Sequence, residues 1–297
     1  MGFSAVDMPS QEGKVAIVTG GNSGIGFETV LGLAKKGAHV VMASRNTEKA
    51  AAARAEILGR SPRALVDVIK LDLGDLASVR NFVTEFRQKH SRLDLLVNNA
   101  GIMLPPFGKT PDGFELTFAT NYLGPFLLTG LLLPLLLAAP DSRVVTVSSL
   151  AHTQGKIARD NLNGERAYSK MAAYGQSKLA NLLFAFELER QLNQREAKTI
   201  SVAAHPGWTV TNLQVNSKIF TFLNPFFGQD SSSGALPSLF AAAASGVRGG
   251  DYYGPQGFLE LKGAPKKVKA NASAHDLETA KWLWATSEKM VGHRYFT

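Results

Sequence analysis

One short segment, Thr19-Gly20-Gly21-Asn22-Ser23-Gly24-Ile25-Gly26, constrains this chain more than any other, because it sits between a β-branched run (14–19) and a helical pattern (24–36). A strand, a glycine-rich turn and a helix in immediate succession turn free backbone N–H groups toward an anion at the positive end of the helix. Gly20 suits the tight turn, Gly24 lets a ligand approach closely, and Gly26 lets the helix pack against the strand. Gly20, Asn22, Ser23, Gly24, Ile25 and Gly26 are therefore candidate contacts to a pyrophosphate. Glycines so spaced also occur in ordinary turns, and the strand–turn–helix context is what raises this segment above them.

The surrounding pattern repeats. Residues 14–19, 39–43, 64–71, 93–98, 143–148 and 199–204 read as buried strands, apolar on both faces. Helical patterns lie between or after them, over 24–36, 47–58, 76–89, 112–138 and 172–195. This alternation predicts an α/β fold: a single-domain Rossmann-type doubly wound parallel sheet with helices on both faces. With no Pro/Gly/Ser linker and no internal repeat, residues 1–297 read as one domain. Residues 14–204 form its dinucleotide-binding core, and 205–297 its substrate loop and C-terminal region. The irregular stretches 149–171, 205–229 and 247–274 follow strand carboxyl ends or close the chain, the places where such a sheet builds its pocket.

Composition removes several chemistries. There are no cysteines, which excludes disulfides, thiolate nucleophiles and Cys-ligated zinc or iron–sulfur centres. The six histidines are scattered with no pair at metal-binding spacing, so no metal site is expected. The net charge of +8, from 32 basic and 24 acidic residues, is concentrated only over 262–269. That stretch lacks interleaved aromatics and reads as a solvated face, so no nucleic acid is expected as partner. Residues 1–13 have neither the pattern of a signal peptide nor that of an anchor, and Val6 stands where a myristoylation signal needs Ser or Thr. A cytoplasmic location is expected. The uncharged run 122–139 is long enough to raise a membrane span, but Gly124, Pro125, Gly130 and Pro134 interrupt it. A helix buried against the sheet or a partner subunit is expected instead of a membrane span, and a homo-oligomer stays open.

Two further places speak to chemistry. The second strand ends in Ala43-Ser44-Arg45-Asn46 with no carboxylate. A ribose 2′-hydroxyl is usually met there by Asp or Glu and a 2′-phosphate by Arg, so Ser44 and Arg45 favour NADP(H) while NAD(H) stays possible. Tyr174 and Lys178 lie four apart in a helical pattern, hence on one face. A phenol with a pKa of about 10 is too weakly acidic for a base near neutrality, and a neighbouring ammonium favours the phenolate. That spacing alone proves little. Asn98-Asn99-Ala100-Gly101, Asn121 and Ser148-Ser149 add polar groups at the carboxyl edge, where a ligand would bind.

Over nearly its whole length the chain resembles the short-chain dehydrogenase/reductase family. The matching segments, in the family's order, are TGGNSGIG (19–26), LDL (71–73), NNAG (98–101), Asn121, VSS (147–149), YGQSK (174–178) and HPG (205–207). The resemblance implies that Tyr174 is the acid/base, that Lys178 lowers its pKa and holds the nicotinamide ribose, and that Ser149 bonds the substrate oxygen. Asn121 would hold a water in a relay to Lys178. Asp72, with Leu73 beside it, would contact the adenine; Asn98, Ala100 and Gly101 would line the cofactor cleft. Thr209 or Thr211, after Pro206-Gly207, would touch the carboxamide or phosphates.

The 25-residue gap from Ser149 to Tyr174, VSSLAH (147–152) and SKLAN (177–181) are similar to the retinol dehydrogenase-like and protochlorophyllide reductase-like branch. Successive strand residues face opposite ways, so Ser148 is the alternative to Ser149. Vertebrate-type retinol dehydrogenases carry an N-terminal anchor that 1–13 does not match, and a retinoid substrate does not follow. His152, Tyr168 and His205 read as satisfied structural groups. Trp208, Leu213, Ile219, Phe220, Phe222, Leu223, Phe226 and Phe227 suggest an apolar pocket wall or an interface. The expectation is an NADP(H)-dependent oxidoreductase acting on an alcohol or carbonyl of apolar character. A non-catalytic NADP(H)-binding regulator or scaffold is the alternative, and a protein held at a membrane by 122–139 is a third.

Overall fold

The computed structural model describes residues 2–209 and 229–296. Six parallel strands form most of the sheet: β1 (Val15–Thr19), β2 (His39–Ser44), β3 (Leu65–Lys70), β4 (Leu95–Asn98), β5 (Arg143–Val147) and β6 (Ile200–Ala204). Two short strands extend it, β7 (Tyr252–Pro255), parallel to β6, and β8 (Pro265–Lys267), antiparallel to β7. The order β3-β2-β1-β4-β5-β6-β7-β8 reverses direction between β1 and β4. Ligand-binding crevices form at such a reversal, outside the strand carboxyl ends.

Each face of the sheet has its own apolar core. On one side α1 (Gly24–Lys35), α2 (Thr47–Arg60) and α6 (Ser231–Ala243) cover Val18, Val40, Met42 and Val97. On the other, α3 (Leu76–Lys89), α4 (Leu116–Ala138), α5 (Lys170–Asn193) and α7 (Leu277–Val291) cover Ile17, Val41, Leu96 and Val144. The result is a single α/β domain with helices on both faces. Caps fix several helix starts: Asn46 accepts from Lys49 N–H, and Asp75 accepts from Ala77 and Ser78 N–H.

The apolar run forms the one helix among the described residues long and apolar enough to cross a membrane, and 72% of its span is buried within the protein. Its partners explain the composition. Tyr122 bonds Ser287 of α7 at 2.8 Å, and a Cβ at Gly130 would lie 2.6 Å from the Tyr295 ring. The C-terminal segment therefore packs directly on this helix.

Three differences from the sequence pattern have physical causes. β3 is an edge strand whose Leu65 is 57% exposed, so it is not buried on both faces. Helices α6 and α7 were not among the helical patterns read from the sequence, and β7 and β8 fall inside the stretch 247–274 read as irregular. β8 carries part of the basic stretch: Lys266 and Lys267 are exposed, and Lys267 pairs with Asp251, consistent with charge protecting a sheet edge.

Candidate active site

The glycine turn follows β1 with Gly20 at φ +66° and Gly24 at φ +55°. A Cβ at Gly26 would lie 2.2 Å from the Gly20 carbonyl oxygen, so the helix start is pressed against the turn more tightly than any side chain permits. Gly20 N–H donates to Ala43 of β2 at 2.8 Å, and the Ser44 hydroxyl donates to Asn22 Oδ1 at 2.9 Å. The turn is thus tied to the end of β2, where Arg45 is exposed.

A cavity of about 600 Å³ opens from this turn along the carboxyl edge. Gly20, Asn22, Ser23, Gly24, Ile25 and Gly26 line one end; Ser149, Tyr174 and Lys178 line the same space, as do Ala100, Gly101, Pro206, Gly207 and Thr209. Asn98 is not at the wall. It is buried, donating to Thr129 Oγ1 at 3.0 Å, while the next residue, Asn99, lines the cavity and donates to the Thr19 carbonyl at 2.8 Å. Asp72 is also off the wall, its Oδ1 accepting from Gly74 N–H at 2.9 Å. Leu73 is buried in the core. Ser44, Arg45 and Asn121 are likewise not wall residues. Thr211 and the apolar residues between 213 and 227 lie outside the described residues.

Asn121 falls in a π-helical turn, Ala119–Leu123, at the start of α4. Such turns are frequent at functional sites because they displace one side chain from the regular ladder. Its Oδ1 accepts from Ile102 N–H at 2.8 Å, and its Nδ2 donates to the Ile102 carbonyl and to Ser177 Oγ, each at 3.0 Å. Both amide atoms are therefore engaged by the protein. A Cβ at Gly101 would meet Asn121 Oδ1 at 3.2 Å and Lys178 Nζ at 3.5 Å, so the amide and the ammonium both crowd the side where this glycine has no side chain.

The two serines after β5 separate by strand alternation. Ser148 is buried and donates to the Lys178 carbonyl at 2.8 Å. Ser149 caps the short helix Leu150–Gln154, accepting from Ala151 N–H at 3.2 Å, and it lines the same cavity as the Tyr174 phenol. Lys178 is 5% exposed and donates to the Val147 carbonyl at 3.2 Å. Burial pushes the Tyr174 phenol up, with the nearby Ser149 hydroxyl pulling it partly back. Burial also lowers Lys178 to about 8. The phenol thus differs from the lowered value the resemblance implies, because burial is the larger of the causes acting on it.

The other polar groups near the pocket have partners: His152 Nδ1 with the Ser149 carbonyl at 2.7 Å, Tyr168 with the Pro105 carbonyl at 3.2 Å, and His205 with Glu260 at 3.0 Å. Wall residues that the sequence reading did not single out include Asn99, Ile102, Met103, Leu104, Leu150 and Met171. Asn99 was legible in principle, since alternation at the end of β4 turns adjacent asparagines to opposite sides. Of the apolar five, Ile102, Met103 and Leu104 sit in an irregular segment with no period to mark them, and Leu150 and Met171 open helices within or at the end of the stretch read as irregular.

Residues 14–219 match the family described as short chain dehydrogenase. The chain is 40% identical over 286 residues to retinol dehydrogenase 12 of Mus musculus, covering 94% of this chain and 87% of that protein. It is 39% identical over 303 residues to polyprenol dehydrogenase of Danio rerio, covering 98% and 90%. A solved structure of an uncharacterised protein from Mycobacterium Paratuberculosis superposes with a TM-score of 0.85 at 40% identity over the full length of both chains. The chain belongs to the short-chain dehydrogenase family of oxidoreductases. Within that family it is retinol dehydrogenase-like.

Proposed function

We propose that this protein interconverts an alcohol and a carbonyl on a largely apolar small molecule, with NADP(H) as the favoured cofactor. One observation carries the reading: Tyr174, Ser149 and Lys178 open into the same cavity that the glycine turn closes at its other end. The residues present suit a dinucleotide, since a side chain at Gly26 would strike the Gly20 carbonyl and leave the turn no room to form. When bound, the nicotinamide would supply or accept the hydride.

The chain's own groups account for the rest. The turn from Gly20 to Gly26 would hold the pyrophosphate, with Asn22 fixed by Ser44. Arg45, with no carboxylate beside it at the end of β2, would meet a 2′-phosphate. Lys178 would hold the ribose, and Pro206, Gly207 and Thr209 would close the far side. In reduction the Tyr174 phenol gives its proton to the carbonyl oxygen, which becomes the hydroxyl, while Ser149 hydrogen-bonds that oxygen. Tyr174 then regains a proton by way of Lys178, which like Asn121 lies beside the bare face of Gly101. The raised phenol carries a proton to donate when the carbonyl is reduced.

Ile102, Met103, Leu104, Leu150, Met171 and Trp208 give the cavity an apolar side, as expected for an apolar substrate. Relatives named for retinol and polyprenol support a long isoprenoid alcohol or aldehyde. The test follows the nicotinamide absorbance with NADPH or NADH and a series of carbonyl and alcohol substrates, from small ketones to retinal and short polyprenals. Turnover should be faster with NADPH and with the long apolar aldehydes. Binding of NADPH without turnover of any member would overturn the reading in favour of a non-catalytic binding protein.

A further inference from the structure

Three side chains far apart in sequence meet at the edge of the sheet opposite the cavity. His39 opens β2, Asp67 lies on the edge strand β3, and His90 follows the last residue of α3. In the β2–β3 register His39 pairs with Leu65 and Val41 with Asp67, so His39 and Asp67 share one face two positions apart. Helix α3 packs on that face and delivers His90, whose ring stacks on Phe86 and meets the His39 ring edge-on, with centroids 4.9 Å apart in each case. His39 Nε2 is 2.8 Å from Asp67 Oδ2, and His90 Nε2 is 3.6 Å from the same oxygen.

His90 is the informative member. Its side chain is 7% exposed, and its Nε2 is buried with no hydrogen-bond partner although it points toward the carboxylate. A buried ring nitrogen left without a partner costs free energy, and such exceptions call for a cause. The three ligand atoms all lie within 4.8 Å of one another. Tetrahedral zinc, with bonds of about 2.0 to 2.2 Å, sets its ligand atoms about 3.3 Å apart, so small side-chain rotations would bring the three to coordination distance.

We propose that His39, Asp67 and His90 form a binding site for a zinc-like divalent metal ion. Two imidazoles and a carboxylate are a donor set suited to zinc, and water would complete the coordination. The ion would fasten the exposed edge strand β3 to β2 and to the end of α3. Its role is structural, since the cavity lies at the other end of the strands. The histidines are too widely spaced in sequence to have marked the site.

The experiment uses the full-length chain without an affinity tag, stripped with a chelator, then titrated calorimetrically with zinc chloride and spectroscopically with cobalt. One equivalent should bind, and zinc should raise the midpoint of thermal unfolding. His39→Asn and Asp67→Asn should weaken binding by roughly tenfold or more and abolish the thermal shift. His275→Ala, which alters a histidine outside the cluster, should leave both unchanged. Should the buried His90→Gln fail to fold, the partly exposed Asp67→Asn carries the test. Absence of zinc binding, or binding that neither His39→Asn nor Asp67→Asn weakens, would overturn the site and leave only a His39–Asp67 hydrogen bond.

Discussion

The Lys178 ammonium lies 5.7 Å from the centre of the Tyr174 ring and spends its hydrogen bond on the Val147 carbonyl. The two groups are neighbours on α5, as their spacing of four requires, yet each is shifted chiefly by burial. The phenol is therefore an acid held in its protonated form, and the lysine a cation in a poorly solvating place.

Tyr174→Phe removes the transferable proton and little else. Turnover should fall by roughly 10² to 10⁴ or more, the range of general acid–base catalysis, with NADPH affinity nearly unchanged. Steady-state rates and cofactor titration of the same preparation measure both. Near-normal turnover in this variant would assign the proton to another group.

Ser149→Ala and Ser148→Ala should part company. Ser149 lines the cavity beside the phenol, so its loss should lower kcat sharply and leave cofactor affinity alone. Ser148 holds the Lys178 carbonyl, so its loss should cost about 1 kcal/mol of stability with a much smaller effect on kcat. Paired kinetics and denaturant unfolding distinguish the two, and the reverse ranking in kcat would assign the substrate contact to Ser148.

The cofactor reading has two handles. Arg45→Ala should weaken NADPH by roughly tenfold to a hundredfold and barely alter NADH, as expected for loss of a charge-assisted phosphate contact. Gly26→Ala should abolish binding of both cofactors, since the added Cβ would lie 2.2 Å from the Gly20 carbonyl oxygen. Equal affinity of the unaltered protein for NADPH and NADH would remove the role given to Arg45.

The sequence marked what periodicity and punctuation can mark. The six parallel strands read from β-branched runs match the structure to within one or two residues at each end, because burial on both faces demands such runs. β3 shares the composition but lies at the edge, and neighbour order is not written in a strand's own residues. β7 and β8 escaped because Tyr252-Tyr253-Gly254-Pro255 and Pro265-Lys266-Lys267 are short and carry Gly, Pro or charge, the usual marks of a loop. The polar constellation from Gly20 to Lys178 was legible as ordered motifs. Its electrostatics were not: the direction of the Tyr174 shift depends on how deeply the helix is covered, which a spacing of four residues does not encode. Which of Asn98 and Asn99 reaches the cavity likewise depends on where β4 ends.

The last prediction concerns the cost of keeping Lys178 buried. Its pKa falls from an ordinary 10.5 to about 8 in the folded protein, so between those values the unfolded chain binds more protons than the native state. Stability must then rise with pH through that window as the native lysine loses its charge. Below about 8 the ammonium is present in both states and its desolvation penalty is fully felt; above 10.5 it is absent from both. Lys178→Met removes the penalty, so in the cofactor-free protein the variant's advantage should be larger by about 3 kcal/mol at pH 7 than above pH 10.5. Raised tyrosines push stability the opposite way at high pH, but they are common to both proteins and cancel in the difference. Urea unfolding of the two across that range measures it. A difference that does not change with pH would mean that Lys178 titrates normally, whereas the expected curve, joined to lost turnover in the variant, would identify a charge retained for chemistry at the expense of the fold.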